Sequence, residues 1–247
     1  MVRRGLSERR ALRVVHMSAA ALRYQPRPDP DPDPDLRDRI VALAHRHRRY
    51  GAGMIYLKLR QEGRAVNHPR VDRLYAEARL QVRRRRRKKV PLADRQPLVR
   101  PQGPNEVWSA DFVFDRTAEG RVLKCLTIVD GATTEAVAVV PARSLGGLPV
   151  TRVFEALALT RGLPLRLIQP GKPTQNAYIE SFNGRFRDEC LNEHSFTSMA
   201  HAQVVIETWR REYNEERPKK GLGGLTPAAY ALQLTAKTNT AKTTAGF

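Results

Sequence analysis

The feature that most constrains this sequence is the uneven distribution of its charge. Residues 1–100 carry 27 basic and 10 acidic side chains, a net charge of +17, whereas residues 101–247 carry 17 and 15, a net charge of +2. An asymmetry this strong indicates two functional parts. We expect the first part to bind a polyanion and the second, near neutrality, to pack a core and carry any chemistry.

Composition excludes several other classes of protein. Hydrophobic residues make up 41% of the 247 residues, which is enough for one or two domains and excludes a wholly disordered polycation. Cys125 and Cys190 lie far apart, which excludes a disulfide framework or a structural zinc site and favours a reducing compartment. No apolar run approaches the ~20 residues of a membrane span. We therefore expect a cytoplasmic, nucleoid-associated protein with no membrane partner.

Proline-rich stretches predict the limits of the domains. The segment PLADRQPLVRPQGP has four prolines and no helical or strand period, and RPDPDPDPD favours an extended spacer. The predicted order is a helical segment (1–26), a spacer (27–35), a helical DNA-binding region with a basic run (36–90), a linker (91–104), a mixed α/β core (105–232) and a disordered tail (233–247).

The pattern after the spacer predicts a helix, a break at Gly51 and Gly53, and two further helices. The last helix should begin at Asn67, with Pro69 in its first turn. Together with the short turn GRAVNHP this indicates a helix-turn-helix, and an ordinary helical hairpin with a solvated basic face is the alternative. The outward residues that we expect to meet phosphates or base edges are Arg70, Arg73 and Arg79.

A run of seven adjacent cations follows this region. Such residues repel one another unless a polyanion is near, so we expect them to contact a phosphate backbone without reading its sequence. A nuclear-localisation signal and a solvated arm are the alternatives. The residues are Arg83, Arg84, Arg85, Arg86, Arg87, Lys88 and Lys89.

The second part begins with an alternation of period two, which predicts a strand. Three such strands, joined by the turns TAEGR and GATT, predict an antiparallel meander, and VTRVFEALALTRG predicts a helix crossing back over it. Asp111 lies in the middle of the apolar first strand. Burial of this carboxylate is costly unless it holds a cation or a partner, and a place on the solvated face of an edge strand is the alternative.

The segment NAYIESFNGRFRDECL predicts a helix with an apolar side and a polar stripe. Such a stripe could hold a hydrated metal ion and a phosphate together, and ordinary exposed helix positions are the alternative. The apolar side comprises Ile179, Phe182, Phe186 and Cys190. The stripe comprises Asn176, Glu180, Asn183 and Arg187.

Three segments carry a resemblance to a known family. VWSADF, QPGKPTQNAYIESFNGRFRDECLNEHSF and WRREYNEERPKKGLGGLTPAAY resemble the catalytic region of insertion-sequence transposases of the DDE type, the OrfB products that resemble retroviral integrases. RHRRYGAGMIYLKLRQEG and RRRRRKKVP are similar to the helix-turn-helix part of the same proteins. The resemblance covers nearly the whole chain up to about Leu232.

The resemblance implies a mixed α/β fold, in which an all-α helix-turn-helix region precedes a truncated RNase H-like integrase catalytic core. It further implies binding of double-stranded DNA at transposon ends and target, and hydrolytic nicking and strand transfer with two Mg²⁺ or Mn²⁺ ions. A homo-oligomer and an upstream OrfA-type partner are implied as well.

By position, Asp111 matches the first catalytic Asp of the family and Glu180 its catalytic Glu. Carboxylates are the hard oxygen ligands that Mg²⁺ prefers. Asn176 and Asn183 resemble positions that orient DNA or metal-bound water, and Lys172 stands where a basic residue would meet a phosphate.

One departure from the family concerns the second catalytic Asp, which lies in a segment resembling SDNGPEF. This sequence runs directly through RGLPLRLIQPGKP, where only Leu163 to Ile168 can form a strand, although a strand-helix-strand unit needs on the order of 30 residues. We therefore predict an internal deletion. Because two carboxylates underprovide ligands for two ions ~3.5–4 Å apart, catalysis should be crippled.

Two functions remain open at this point. The chain is either a transposase whose metal site works, or a DNA-binding remnant that could inhibit an intact relative. A general RNase H-like nuclease is a third possibility, which the helix-turn-helix part disfavours.

Overall fold

The computed structural model describes residues 7–25, 34–82, 101–161 and 177–244. The chain forms two compact units, residues 1–39 and 40–247. The domain limits predicted from the sequence stay predictions. No helix in the described part of the chain has both the length and the apolar character needed to cross a bilayer.

The first unit contains two short helices, α1 (Glu8–Val14) and α2 (Ala19–Leu22), neither of which has a buried residue. The hydroxyl of Ser18 accepts a hydrogen bond of 3.0 Å from the backbone N–H of Ala21 and so caps α2.

Three helices form the predicted helix-turn-helix region: α3 (Pro34–Arg46), α4 (Ala52–Gln61) and α5 (His68–Glu77). The break between α3 and α4 ends at Gly51, whereas Gly53 lies inside the first turn of α4. Helix α4 packs against α5. Buried apolar side chains from the three helices within the second unit are Ile40, Leu43, Ala44, Ile55, Leu59, Val71, Leu74 and Tyr75.

The predicted meander is confirmed as one antiparallel sheet in the order β1-β2-β3. Its strands are β1 (Trp108–Arg116), β2 (Val122–Asp130) and β3 (Ala136–Ala142). Asp111 lies opposite Thr127, and Thr127 lies opposite Val139. β1 is therefore an edge strand of the described sheet, with Asp111 near its middle.

Helices cover both faces of this sheet. Helix α6 (Gly147–Arg161) packs on the face formed by residues such as Phe112, Leu126 and Ile128. Helices α7 (Ala177–Glu189) and α8 (Met199–Glu215) pack on the opposite face. That larger core includes Val113, Cys125, Val129, Ile179, Phe182, Phe186, Trp209 and Tyr213.

The C-terminal helix α9 (Pro227–Thr244) packs against α8. We predicted a disordered tail over residues 233–247, but α9 continues through most of that segment. Its sequence after Pro227 is rich in alanine and has no further proline or glycine before Thr244, which explains why the helix extends. The hydroxyl of Thr226 accepts a hydrogen bond from the N–H of Ala229 at the start of the helix.

A buried ion pair in the core contacts the helix-turn-helix region within the second unit. Arg217 donates two hydrogen bonds of 2.7 Å to Glu189, and both side chains are 8% exposed. The guanidinium also lies 5.5 Å from the ring centre of Tyr50 and 5.8 Å from that of Tyr213. Burial alone would lower the pKa of Arg217, but the hydrogen bonds and charge of Glu189 raise it above its ordinary value.

Candidate active site

The side chain of Asp111 is exposed, yet it lies on the sheet face that packs against α7. Val113, two residues further along the same face, is 2% exposed and belongs to the larger core. The cost of burying this carboxylate does not arise, because β1 is an edge strand and leaves it accessible, and Asn183 supplies the partner. The alternative interpretation placed Asp111 on a solvated face of the sheet, but helix α7 packs on this face.

Hydrogen bonds orient both oxygens of the Asp111 carboxylate. The amide of Asn183 donates to Oδ2 over 2.8 Å, and the backbone N–H of Phe112 donates to Oδ1 over 2.7 Å. The hydroxyl of Thr127 lies 2.9 Å from Oδ1 of Asn183 and 3.1 Å from the carbonyl oxygen of Asp111, and shares its single proton between them. Asn183 and Thr127 thus link α7 and β2 to Asp111.

Glu180 is exposed and lies one turn before Asn183 on α7, about 4.5 Å away along the helix axis. The polar stripe of α7 follows β1, since Arg187 donates a hydrogen bond of 3.3 Å to the carbonyl oxygen of Phe114. The predicted apolar side of the helix is buried. The structure therefore brings Asp111, Asn183 and Arg187 together where α7 runs beside β1. Glu180 lies one turn before Asn183 on the same stripe.

The described residues do not fit a site for two metal ions. They contain no group of three or more Asp, Glu, His or Cys side chains placed to hold an ion. Asp115 accepts a hydrogen bond from the N–H of Arg116, Asp130 accepts two from Thr133, and Glu155 lies on α6 against the other face of the sheet. None of these acids stands in for a third ligand beside Asp111.

Two of the predicted DNA-binding arginines lie on the exposed side of α5. Arg70 and Arg73 are exposed on that helix, but Arg79 follows its end and has a left-handed backbone with φ of +55°. The helix ends because the N–H of Arg79 bonds to the carbonyl of Ala76 and that of Leu80 to the carbonyl of Tyr75. The predicted place of Arg79 on the helix face is wrong.

Several predicted residues lie outside the described residues. They are Arg83 to Lys89, the strand predicted over residues 163–168, Lys172 and Asn176.

Thr127 is the residue at this site that sequence reasoning missed. A signal for it existed, because the hairpin turn TAEGR fixes the register of the two flanking strands and so sets residue 127 opposite residue 111. A threonine directly across from Asp111 on the same sheet face can form hydrogen bonds with the groups that surround Asp111.

Comparison with known proteins identifies two families along the chain. Residues 161–227 match the integrase core domain, and residues 32–88 match an HTH-like domain. A 31.7 kDa protein of insertion element IS407 from Burkholderia multivorans is 45% identical over 252 residues, covering 92% of this chain and 91% of that protein. The chain belongs to the DDE-type insertion-sequence transposases.

Other relatives of this transposase are consistent with that assignment. A 39.2 kDa protein of insertion element IS476 from Xanthomonas euvesicatoria is 44% identical over 252 residues, covering 92% of the transposase and 72% of the relative. Low calcium response locus protein T from Yersinia pestis is 36% identical over 124 residues, covering 50% of the transposase and 87% of that protein. The combination of HTH-like and integrase core domains implies DNA binding, and the integrase core family generally uses a divalent metal.

The alignment lengths also reveal a difference from both larger relatives. Since 92% of 247 residues is about 227, an alignment of 252 residues leaves about 25 positions of the IS407 protein without a counterpart in this transposase. The alignment with the IS476 protein has the same length and covers the same share of this chain, so about 25 positions of that protein also lack a counterpart. This transposase is therefore shorter than both relatives inside the aligned region.

Proposed function

We propose that this transposase binds the double-stranded ends of its insertion sequence and that Asp111 and Glu180 are the carboxylates of its strand-cleavage site. The observation that carries the proposal is the hydrogen bond from Asn183 to Asp111. It attaches the helix of Glu180 to the strand of Asp111, so that both carboxylates belong to one exposed surface. Arg70 and Arg73, exposed on α5, support DNA binding.

The metal of this site is proposed to be Mg²⁺ or Mn²⁺, with Asp111 and Glu180 as its oxygen ligands. In a complete site of this family, a pair of such ions would supply activation of a water or a 3′-hydroxyl and stabilisation of the leaving oxygen of an in-line phosphoryl displacement. The described residues supply two carboxylates and do not fit a pair of ions. In this chain, Asn183 holds the Asp111 carboxylate and Thr127 holds Asn183, which is itself buried, while the exposed Arg187 is the residue of the stripe that faces the DNA.

The proposed partners follow the same reasoning. Transposon-end and target DNA contact the basic N-terminal part, including residues 83–89, and also Lys172 and Asn176 in the second part. The protein forms a homo-oligomer and works with an upstream OrfA-type protein.

A second candidate function is end binding without cleavage, which would inhibit an intact relative. The observation that favours it is the set of about 25 positions that the IS407 relative has and this chain lacks. A loss of that length is close to the ~30 residues of a strand-helix-strand unit. Removal of such a unit would take the second catalytic Asp with it.

A nicking assay separates the two functions. Purified protein is incubated with supercoiled plasmid in Mg²⁺ or Mn²⁺, and binding to labelled DNA is measured in parallel. The variants are Asp111→Asn and Glu180→Gln, with Asp115→Asn as the matched control because Asp115 lies on the same face of β1. Nicking that both site variants lose and the control keeps supports the cleavage site. Equal nicking by all four proteins, with DNA binding retained, supports end binding alone.

A further inference from the structure

Helix α6 has an apolar side that faces the sheet and an opposite side that carries two exposed leucines. Val150, Val153, Phe154 and Leu157 pack against the sheet face of Leu126. The residues of the opposite side lie within roughly 140° of the helix circumference and are all exposed. We call this the outer face of α6, formed by Leu148, Thr151, Arg152, Glu155, Ala156 and Leu159.

The outer face has an ordered arrangement of side chains. Leu148 near its start is 65% exposed, and Leu159 near its end is 86% exposed. Arg152 and Glu155 lie between them, and neither has an ion-pair partner among the residues that the structure describes. Single exposed leucines need no explanation, but two leucines flanking an unpaired Arg and Glu on one helix face form a pattern.

We propose that the outer face of α6 is the contact between two copies of this chain, packed antiparallel about a twofold axis. In one register, Leu148 meets Leu159 of the second copy and Arg152 meets Glu155 of the second copy. Twofold symmetry repeats each of these contacts, as an isologous interface requires. Thr151 and Ala156 flank this seam on its two sides, and their small side chains allow close approach of the helices.

Charge complementarity selects a second copy over DNA as the occupant. The outer face carries one positive and one negative side chain, so it has no net attraction for phosphate. Reversing the direction of one copy places Arg152 directly opposite Glu155, whereas a parallel pair would place like charges together. The face is complementary to itself only in the antiparallel arrangement.

The length of α6 limits the area that the dimer can bury and therefore its strength. Helix α6 has 15 residues and is about 22 Å long. A single helix pair of this length buries less than the ~1,200 Å² at the low end of stable interfaces. The dimer is therefore reversible and depends on protein concentration. It gives the proposed homo-oligomer a defined surface.

Sedimentation velocity of the full chain over a range of concentrations tests the surface. Leu159→Glu should weaken self-association at least tenfold. Leu232→Glu is the matched control, because Leu232 is also an exposed leucine, 74% exposed, on a different helix. If Leu159→Glu leaves dimerisation unchanged, the outer face of α6 is not the contact and the inference is overturned. The protein would then form a homo-oligomer through another surface. A monomer at all concentrations overturns both.

Charge reversal gives a second test, which leaves the exposed leucines of the outer face unchanged. Arg152→Glu alone and Glu155→Arg alone place like charges opposite each other, and each should weaken the dimer by about tenfold. The double variant Arg152→Glu/Glu155→Arg restores complementary pairs and should recover wild-type association. A double variant as weak as the sum of the two single variants contradicts the proposed register.

Cysteine cross-linking tests the direction of the helices. Leu148→Cys/Leu159→Cys should form a covalent dimer under mild oxidation, whereas Leu148→Cys alone should not. In the antiparallel register the two copies of position 148 are about 16 Å apart along the axis, too far for a disulfide. Efficient cross-linking of the single variant would show a parallel pair and overturn the proposal. The native Cys125 and Cys190 are buried.

Discussion

His47 lies just after α3 in an environment that disfavours its charged form. Its ring stacks on Tyr50 with centroids 4.5 Å apart, and its Nε2 is buried without a hydrogen-bond partner among the described residues. Burial, followed by the positive charges of Lys58, Arg46 and Arg217, lowers the pKa of His47 to about 4, against a smaller opposing effect of Glu216. The folded protein therefore holds His47 neutral.

This neutral histidine makes stability depend on pH. Between about pH 6.5 and 4 the unfolded chain binds a proton at His47 that the folded chain does not, so stability is lost as the pH falls through this window. The loss should be about 1–2 kcal/mol, after allowing for partial exposure of the ring. His47→Phe keeps the stacking on Tyr50 and removes the titration. Urea unfolding at several pH values should show a smaller loss for the variant, and an equal loss in both proteins would contradict the assignment.

Arg79 combines an unfavourable backbone with a proposed role in DNA binding. Its left-handed φ favours glycine, so Arg79→Gly should stabilise the end of α5 by about 0.5–1 kcal/mol. Loss of one phosphate contact should lower DNA affinity and reduce the salt slope of binding by about 1. Thermal unfolding and salt titrations measure the two effects separately. Arg79→Ala is the control, since it should lose DNA affinity without any gain in stability.

At the scale of elements, the pair of Arg217 and Glu189 ties the loop after α8 to α7. Removal of one partner from a buried ion pair leaves an uncompensated charge and costs about 3–5 kcal/mol. Arg217→Met should therefore unfold at a much lower denaturant concentration. Arg211→Met is the matched control, because Arg211 pairs with Glu207 while 67% exposed and should change stability by less than about 1 kcal/mol. Similar losses in the two variants would contradict a special role for Arg217.

The elements differ in how far sequence alone predicts them. The strands were predictable because Asp111 and Val113 alternate with Ala110 and Phe112, and turn residues bound each strand. Pairing of Arg217 with Glu189 was not predictable, because it depends on the packing of helices distant in sequence. The same holds for Asn183, whose contact with Asp111 depends on where α7 lies on the sheet. The extent of α9 was missed because its polar second half has no apolar period.

At the scale of the whole molecule, the separation of charge predicts how DNA binding responds to salt. Each phosphate contact contributes about 0.9 to the slope of log K against log salt for duplex DNA. Replacement of all seven residues 83–89 by alanine should therefore reduce the slope by up to about 6. A variant with lysine at all seven positions should keep the slope. Fluorescence anisotropy at several salt concentrations measures it, and an unchanged slope in the alanine variant would show that the run does not contact phosphates.

The contacts of β1 have a further consequence for solubility. An edge strand with free N–H groups can recruit strands of other molecules and start aggregation. On β1, Asp111 and Asp115 accept the N–H groups of Phe112 and Arg116, and Arg187 occupies the carbonyl oxygen of Phe114. Asp111 thus protects the edge independently of any cleavage. An alanine there would free the N–H of Phe112 and favour precipitation, whereas asparagine retains an acceptor oxygen and keeps the edge protected.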